Sequence, residues 1–296
     1  MLRTISTAIL LFVFSQGLFA NSTIITANSF TEVNTLITNA KSPANTLLAL
    51  DDDDTLTMMP CPSPNHCQYL GDPTWYQWQS SLPEGSTDRV WKTTSDLLSI
   101  NKLLFAMSSM PLTDPAIPST LENADKLGVS TIMVTARGYD MISETENQLS
   151  QDNILSLMEN GAIKTPSGHI SFPGYYYPTP WNNNKPREIA YINGGLYVAG
   201  QDKGVMIKQF LEKTEQTNKI STIIFVDDTY QNDVDVATAY KNDPNVNVIC
   251  VYYTRLKARK EAFLTGKDAS KLQALANQQW LTIRKTLSEN LAGFNQ

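Results

Sequence analysis

Short apolar runs that stop abruptly at polar or acidic residues constrain the fold of this chain more than any other feature. Thr46 to Leu50 runs into Asp51, Val129 to Val134 into Thr135, and Thr222 to Val226 into Asp227. Runs of this length, rich in Val, Ile and Leu and without polar alternation, read as strands buried on both faces of a parallel sheet. Val246 to Tyr253 extends the series. Helical periodicity occupies intervals between them, at Ser29 to Ala40, Ser119 to Lys126, Gly204 to Glu215 and Val234 to Lys241, with a longer terminal stretch at Leu272 to Leu291. The alternation predicts an α/β fold with a doubly wound, mostly parallel sheet. Ligands of such sheets bind beyond the carboxyl ends of the strands, so Asp51, Thr135 and Asp227 are expected to meet.

Two intervals break the rhythm. From residue 58 to about 112 the chain carries Trp75, Trp78 and Trp91, then a helical apolar pattern through Leu97, Leu98, Ile100, Leu103, Leu104 and Met107. This insertion after the first predicted strand is expected to pack over the strand ends as a cap, with its aromatic residues forming the cap's own core. A second insertion, residues 139 to about 201, is rich in Pro, Gly, Asn and Tyr around Tyr175-Tyr176-Tyr177-Pro178 and Trp181-Asn182-Asn183-Asn184, and reads as a long loop. Ile189 to Val198 then alternates around Asn193-Gly194-Gly195, which predicts a hairpin. One domain over residues 21–296, with two insertions, accounts for the pattern.

The first twenty residues have a separate logic. Arg3 precedes the apolar run Ala8 to Phe14, and Leu18-Phe19-Ala20 ends in a small residue before Asn21. This predicts a signal peptide over residues 1–20 and export to the periplasm or medium. The run breaks at Ser15-Gln16-Gly17, short of the roughly 20 apolar residues a span needs, so no stable membrane anchor is expected. Export permits disulfides, and Cys61 and Cys67 flank a short Pro-containing loop; spacing alone leaves a bridge and two free thiols both open. Cys250, inside an apolar run, reads as a buried thiol. With 23 basic against 29 acidic residues, the net charge of −6 gives no nucleic-acid footprint, and an anionic substrate must be held by a metal or a few placed cations.

Four consecutive acids, Asp51-Asp52-Asp53-Asp54, follow the first strand and precede Thr55. Such a run repels itself unless a cation or solvent relieves it. The period-two geometry of a strand end would converge Asp51 and Asp53 on one site and direct Asp52 and Asp54 elsewhere. A calcium loop of the EF-hand type does not fit, because Leu56 stands where its Gly is required and Pro62 where its Glu is. His66 and His169 lack a Ser or Cys partner in any nucleophile motif, which argues against a serine or cysteine hydrolase.

Asp51-x-Asp53-x-Thr55 after apolar residues resembles the first motif of the haloacid dehalogenase superfamily. Ile132-Met133-Val134-Thr135-Ala136-Arg137-Gly138 is similar to the second motif, Asp202-Lys203-Gly204 to the third, and Phe225-Val226-Asp227-Asp228-Thr229-x-x-Asn232 to the fourth. Within that superfamily, the leader, the four-acid first motif and the VTARG second motif look most like the DUF2608 family of exported bacterial proteins. The resemblance implies a Mg²⁺-dependent phosphohydrolase acting on phosphate monoesters, with a phosphorylated small molecule or a phosphoprotein as substrate. It assigns nucleophilic attack to Asp51, proton transfer to Asp53, a phosphate hydrogen bond to Thr135 and charge neutralisation to Lys203, with Lys208 as a rival on the same helix. Mg²⁺ would be held by Asp51, the backbone carbonyl of Asp53 and Asp228, with Asp227 or Asn232 holding a metal-bound water; Asp228 is preferred to Asp227 as the direct ligand. Arg137 would bind a second anionic group of the substrate or pair with an acid of the second insertion. The alternative is a secreted interaction protein that keeps the metal site without turnover and binds through its aromatic insertions.

Overall fold

Leu47 to Leu50 are wholly shielded from solvent, and their side chains alternate between two separate cores, as expected of a strand at the centre of a covered sheet. The computed structural model describes residues 22–63, 66–165, 168–169, 172–176, 187–292 and 294. The expected signal peptide and Trp181 to Asn184 lie outside the described residues. In chain order the elements are β1 (Ser22–Ala27), α1 (Phe30–Thr38), β2 (Thr46–Leu50), α2 (Pro73–Ser81), α3 (Thr94–Met107), α4 (Ile117–Leu127), β3 (Ser130–Thr135), α5 (Ile142–Gln151) and α6 (Leu155–Gly161). They continue with β4 (Lys164–Thr165), β5 (Gly168–His169), β6 (Phe172–Tyr176), β7 (Glu188–Ile192), β8 (Gly195–Tyr197), α7 (Lys203–Lys213), β9 (Thr222–Asp227), α8 (Tyr230–Tyr240), β10 (Asn247–Tyr253), α9 (Lys257–Leu264) and α10 (Ala269–Asn290).

Eight strands form the main sheet in the order β1-β10-β9-β2-β3-β8-β7-β6. The strands from β1 to β8 in that order are parallel, and β7 and β6 add antiparallel pairings at one edge. Leu48, Leu50, Met133, Ile224 and Val226 pack under α1, α4, α5 and α6. Leu47, Ala49, Ile132, Val134, Ile223 and Phe225 pack under α7 and α8 on the other face. The chain adds β3 and β8 on one side of β2, then returns through α7 to add β9 on the other. The reversal therefore falls between β2 and β9, where open α/β sheets leave a crevice at their carboxyl ends. Among the described residues no helix is long and apolar enough to cross a membrane.

Three features depart from the sequence expectation. The strand β1 carries only Ile24 and Ile25 between Ser and Thr residues, too weak a pattern to distinguish, yet it closes the β10 edge. Residues 139–201 are not simply an inserted loop: α5 and α6 cover the sheet, β8 extends its parallel part, and Tyr175 and Tyr176 lie in β6. The hairpin around Asn193-Gly194 is present as β7 and β8.

The terminal helix is present as expected, and the third feature is its partner, the cap, which the sequence reading did not assign to it. The insertion leaves and returns through adjacent backbone, with Met58 N donating to Pro111 O (3.0 Å) and Thr113 N to Leu56 O (2.9 Å). Its helices α2 and α3 then pack against α9 and α10 through Leu70, Trp75, Leu97, Ile100, Leu104, Phe263, Ala276 and Trp280. Phe263 stacks on Tyr69 at 4.8 Å and meets Trp78 edge-on at 5.8 Å. Asn277 accepts from Gln79 Nε2 (3.0 Å) and donates to Asp88 O (2.7 Å), while Arg259 pairs with Asp72 (2.7 Å) and donates to Met59 O (2.9 Å). Cys61 and Cys67 are disulfide-bonded at the entrance to the cap, and Cys250 is a buried free thiol. Truncating a buried aromatic costs about 3–5 kcal/mol. Phe263→Ala is therefore expected to lower stability by about that amount in urea unfolding; a loss under about 1 kcal/mol would mean that the C-terminal helices do not brace the cap.

Candidate active site

The acid run is sorted by a tight turn as the chain leaves β2. Asp51 N still donates to Val226 O of β9 (2.9 Å), after which the Asp52 carbonyl accepts from the backbone N–H groups of Thr55, Leu56 and Thr57 at 3.2, 2.8 and 3.0 Å. Asp54 takes the left-handed conformation (φ 64°) that Asp tolerates better than most residues. Asp51 and Asp53 consequently face a cleft, while Asp52 and Asp54 turn inward and are buried. Asp52 accepts from the Thr57 hydroxyl (2.9 Å) and pairs with Arg137 (3.2 Å). Neither carboxylate oxygen of Asp54 has a hydrogen-bond partner among the described residues.

Lys203 begins α7, and Gly204 beside it allows that helix to lie against α8: an added Cβ would sit 2.8 Å from Ala239 Cβ and Asp235 O. The Lys203 ammonium pairs with Asp51 Oδ1 and donates to Asp227 Oδ2 (2.7 Å). Burial alone would lower its pKa, but Asp227 and Asp51 together reverse this and hold it above the usual lysine value. Burial pushes Asp51 well above the carboxylate range, against the opposing pull of Lys203. Asp227 is fixed further by Thr229 N (2.8 Å) and by Asn232 Nδ2, 3.0 Å from both its oxygens. Lys208, the rival on the same helix, instead donates to Ala239 O (2.9 Å).

Thr55 ties the two strand ends together. Its hydroxyl donates to Asp51 Oδ2 (3.3 Å) and accepts from Asp228 N (3.1 Å). Asp228 pairs with Lys260 of α9, and burial pushes its carboxyl up to about 6 despite that lysine. Thr135 is buried at the end of β3, where its hydroxyl accepts from Arg137 N (3.2 Å). The Arg137 fork grips Asp53 through Nε (3.0 Å) and Nη2 (2.7 Å), and Nη1 donates to Thr145 (2.9 Å) and Gln148 (2.8 Å). Its carboxylate partners are thus Asp52 and Asp53 rather than an acid of the second insertion, and it also lines the cleft.

The cleft over these residues has a volume of about 560 Å³. Asp51, Asp53, Lys203 and Asp228 form its floor, Tyr76, Leu98 and Phe105 of the cap its roof, and Arg187 part of its wall. Asp51, Asp227 and Asp228 each present a ligand oxygen within 4.8 Å of the others, a hard oxygen set that could hold a metal ion. Asp51 and Asp228 line the cleft, whereas Asp227 is fully buried beneath it. The electrostatics suit a cation, since the carboxylates of Asp51, Asp52, Asp53, Asp54, Asp227 and Asp228 outnumber the ammonium and guanidinium groups of Arg137, Lys203 and Lys260 paired with them. Lys260 and Arg187 escaped the sequence reading. The basic cluster Lys257-Ala-Arg259-Lys260 was the available signal for the first, and nothing local marked the second.

Asp233 was also unanticipated. It lies buried in the first turn of α8, both its oxygens lack a hydrogen-bond partner among the described residues, and burial together with nearby Asp227 pushes its carboxyl up to about 9, only partly offset by Lys203. Because this pKa is raised on folding, the folded state binds the proton more tightly, and stability falls as pH rises from the unfolded value near 4 towards 9. In chelator, Asp233→Asn should flatten the fall of unfolding free energy with pH by up to about 1.4 kcal/mol per pH unit. An unchanged slope between pH 5 and 8.5, roughly the span that the carboxylate shift covers, would contradict this assignment.

The family model described as "Protein of unknown function (DUF2608)" matches residues 26–293. No curated protein matches the chain. Nearly every residue of the sheet, the cap and the acid-lined cleft falls inside that match, and the chain belongs to the DUF2608 family.

Proposed function

We propose that this chain is an exported, Mg²⁺-dependent phosphohydrolase of the haloacid dehalogenase type, with a doubly wound core, that cleaves phosphate monoesters through an aspartyl-phosphate intermediate. The observation that carries the reading is the meeting of Asp51, Lys203, Asp227 and Asp228 at the ends of β2 and β9 and the start of α7, under a helical cap. Within this scheme an Asp51 oxygen attacks phosphorus as the ester oxygen departs with a proton from Asp53. Water then attacks the acyl phosphate, gives its proton to Asp53, and inorganic phosphate leaves. Lys203, already against Asp51, would neutralise charge on the transferring group, and Thr135, buried at the end of the neighbouring strand, would donate a hydrogen bond to a phosphate oxygen. Because the Arg137 fork occupies both oxygens of Asp53, it must open for Asp53 to deliver a proton to the leaving oxygen. A bound Mg²⁺ would supply charge compensation for the approach of phosphate to Asp51. Export draws support from the Cys61–Cys67 disulfide, since such bonds persist in oxidising compartments.

The purified protein is expected to release phosphate from a generic aryl phosphate with Mg²⁺, and Asp51→Asn to lose at least about a thousandfold in turnover while remaining folded. Mg²⁺ at a hundred times its dissociation constant should also stabilise the wild-type fold by about 2.7 kcal/mol, a gain that Asp228→Asn reduces. Stabilisation by metal with no phosphate release across a broad panel would instead favour a secreted interaction protein that kept the site without turnover.

A further inference from the structure

The floor and wall of the cleft contain four cationic side chains, Arg137, Arg187, Lys203 and Lys260. Three are already neutralised: Arg137 by Asp52 and Asp53, Lys203 by Asp51 and Asp227, and Lys260 by Asp228. Arg187 differs, because the hydrogen bonds it makes are to uncharged groups and no described carboxylate lies within ion-pair distance of it. The segments outside the described residues contain no Asp or Glu.

The backbone around Arg187 is built to hold this guanidinium in place. Gln201, itself buried, clamps the main chain of Arg187 from both sides, accepting from its N–H (3.2 Å) and donating to its carbonyl (3.2 Å). Ala199 and Gly200 are both left-handed, at φ 52° and 71°. That conformation is unfavourable for Ala, and such strain persists where the surroundings enforce it, often at ligand sites. Here the Ala199 carbonyl accepts from Arg187 Nη1 (2.8 Å), and the missing Cβ of Gly200 leaves room for that nitrogen, which would lie 3.1 Å from an added carbon. One edge of the guanidinium is therefore pinned to backbone, leaving the rest of its fork available to an oxyanion. The connection that carries this clamp, Val198 to Asp202, leads directly into Lys203.

We infer that the substrate carries two anionic groups: a phosphoryl group held over Lys203 and Asp51, and a second oxyanion, carboxylate or phosphate, held by Arg187 beneath the cap. The location of the phosphoryl group rests on the hydrolase reading above; the second subsite rests on Arg187. Tyr76, Leu98 and Phe105 supply an apolar roof for the carbon skeleton between the two charges.

Calorimetric titration in Mg²⁺ tests this with probes that cannot turn over. The probes are phenylphosphonate, the ortho, meta and para carboxyphenylphosphonates, and the corresponding phenylenediphosphonates. At least one two-anion probe is expected to bind roughly ten- to a hundredfold more tightly than phenylphosphonate, the range of a charge-assisted arginine fork. The carboxylate and diphosphonate arms distinguish the two sources of the second charge. Arg187→Ala should shrink that ratio to about twofold or less, and Arg187→Gln, which keeps a donor for the Ala199 carbonyl, should do the same. Two-anion probes that bind no better than phenylphosphonate, or a ratio that survives both substitutions, would overturn the inference, as would no binding of any probe. Release of phosphate from the matching phosphate esters is scored separately. Its absence with the binding ratio intact removes the hydrolase reading and leaves the second subsite standing.

Discussion

A single buried ammonium joins the parts of this molecule that carry its chemistry. Lys203 bonds at once to Asp51, at the end of β2, and Asp227, at the end of β9, from the first turn of the helix that crosses between the two halves of the sheet. Removing one partner from such a group typically costs 3–5 kcal/mol, because the remaining charges stay buried without compensation. The position of the lysine therefore depends on every element that delivers it: the close contact of α7 with α8 at Gly204, the strand order that sets β9 beside β2, and the left-handed residues before Asp202. Sheet topology, helix packing and local charge are solved together at that point.

The same interdependence gives the four acids unequal work. Asp51 and Asp53 face the cleft, whereas Asp52 and Asp54 are more buried than Asp53 and belong to the scaffold. Asp52 serves as the pivot of the turn through its carbonyl and as a partner of Arg137 through its side chain. Alternation along a strand correctly separates the two pairs but attributes the separation to the wrong cause, because a hydrogen-bonded turn reverses the chain within these residues. The inward pair is structural, and only the outward pair has access to a ligand.

Local periodicity made the central sheet readable. Leu47 to Leu50, Ile132 to Val134 and Ile223 to Val226 are apolar without interruption because both their faces are covered, so the sequence itself marks strand ends and the residues beyond them. What could not be read were partnerships between distant segments. An amphipathic helix records that it has an apolar face and not what that face meets, so the periodicity of α10 gave no sign that Trp280 and Ala276 pack on Trp75 and Leu97. Arg137 stands in a conspicuous motif, yet nothing in that motif indicated that its carboxylate partners would be Asp52 and Asp53. Arg187 sits beyond a Pro- and Asn-rich stretch with no motif of its own, and only the structure shows that no described carboxylate pairs with it.

The cap draws its halves from segments far apart in sequence, with α2 and α3 following β2 and α9 and α10 following β10. As a polypeptide is made or threaded through a translocon from its amino end, α2 and α3 must wait with Trp75 and Leu97 unburied until nearly the whole sequence has emerged. Lys260, which answers the charge of Asp228, arrives with the same final segment. Completion of the cleft is thus coupled to synthesis through α10: a nascent form that stops short of it can already pair Lys203 with Asp51 and Asp227 while still lacking the helices that complete the cap.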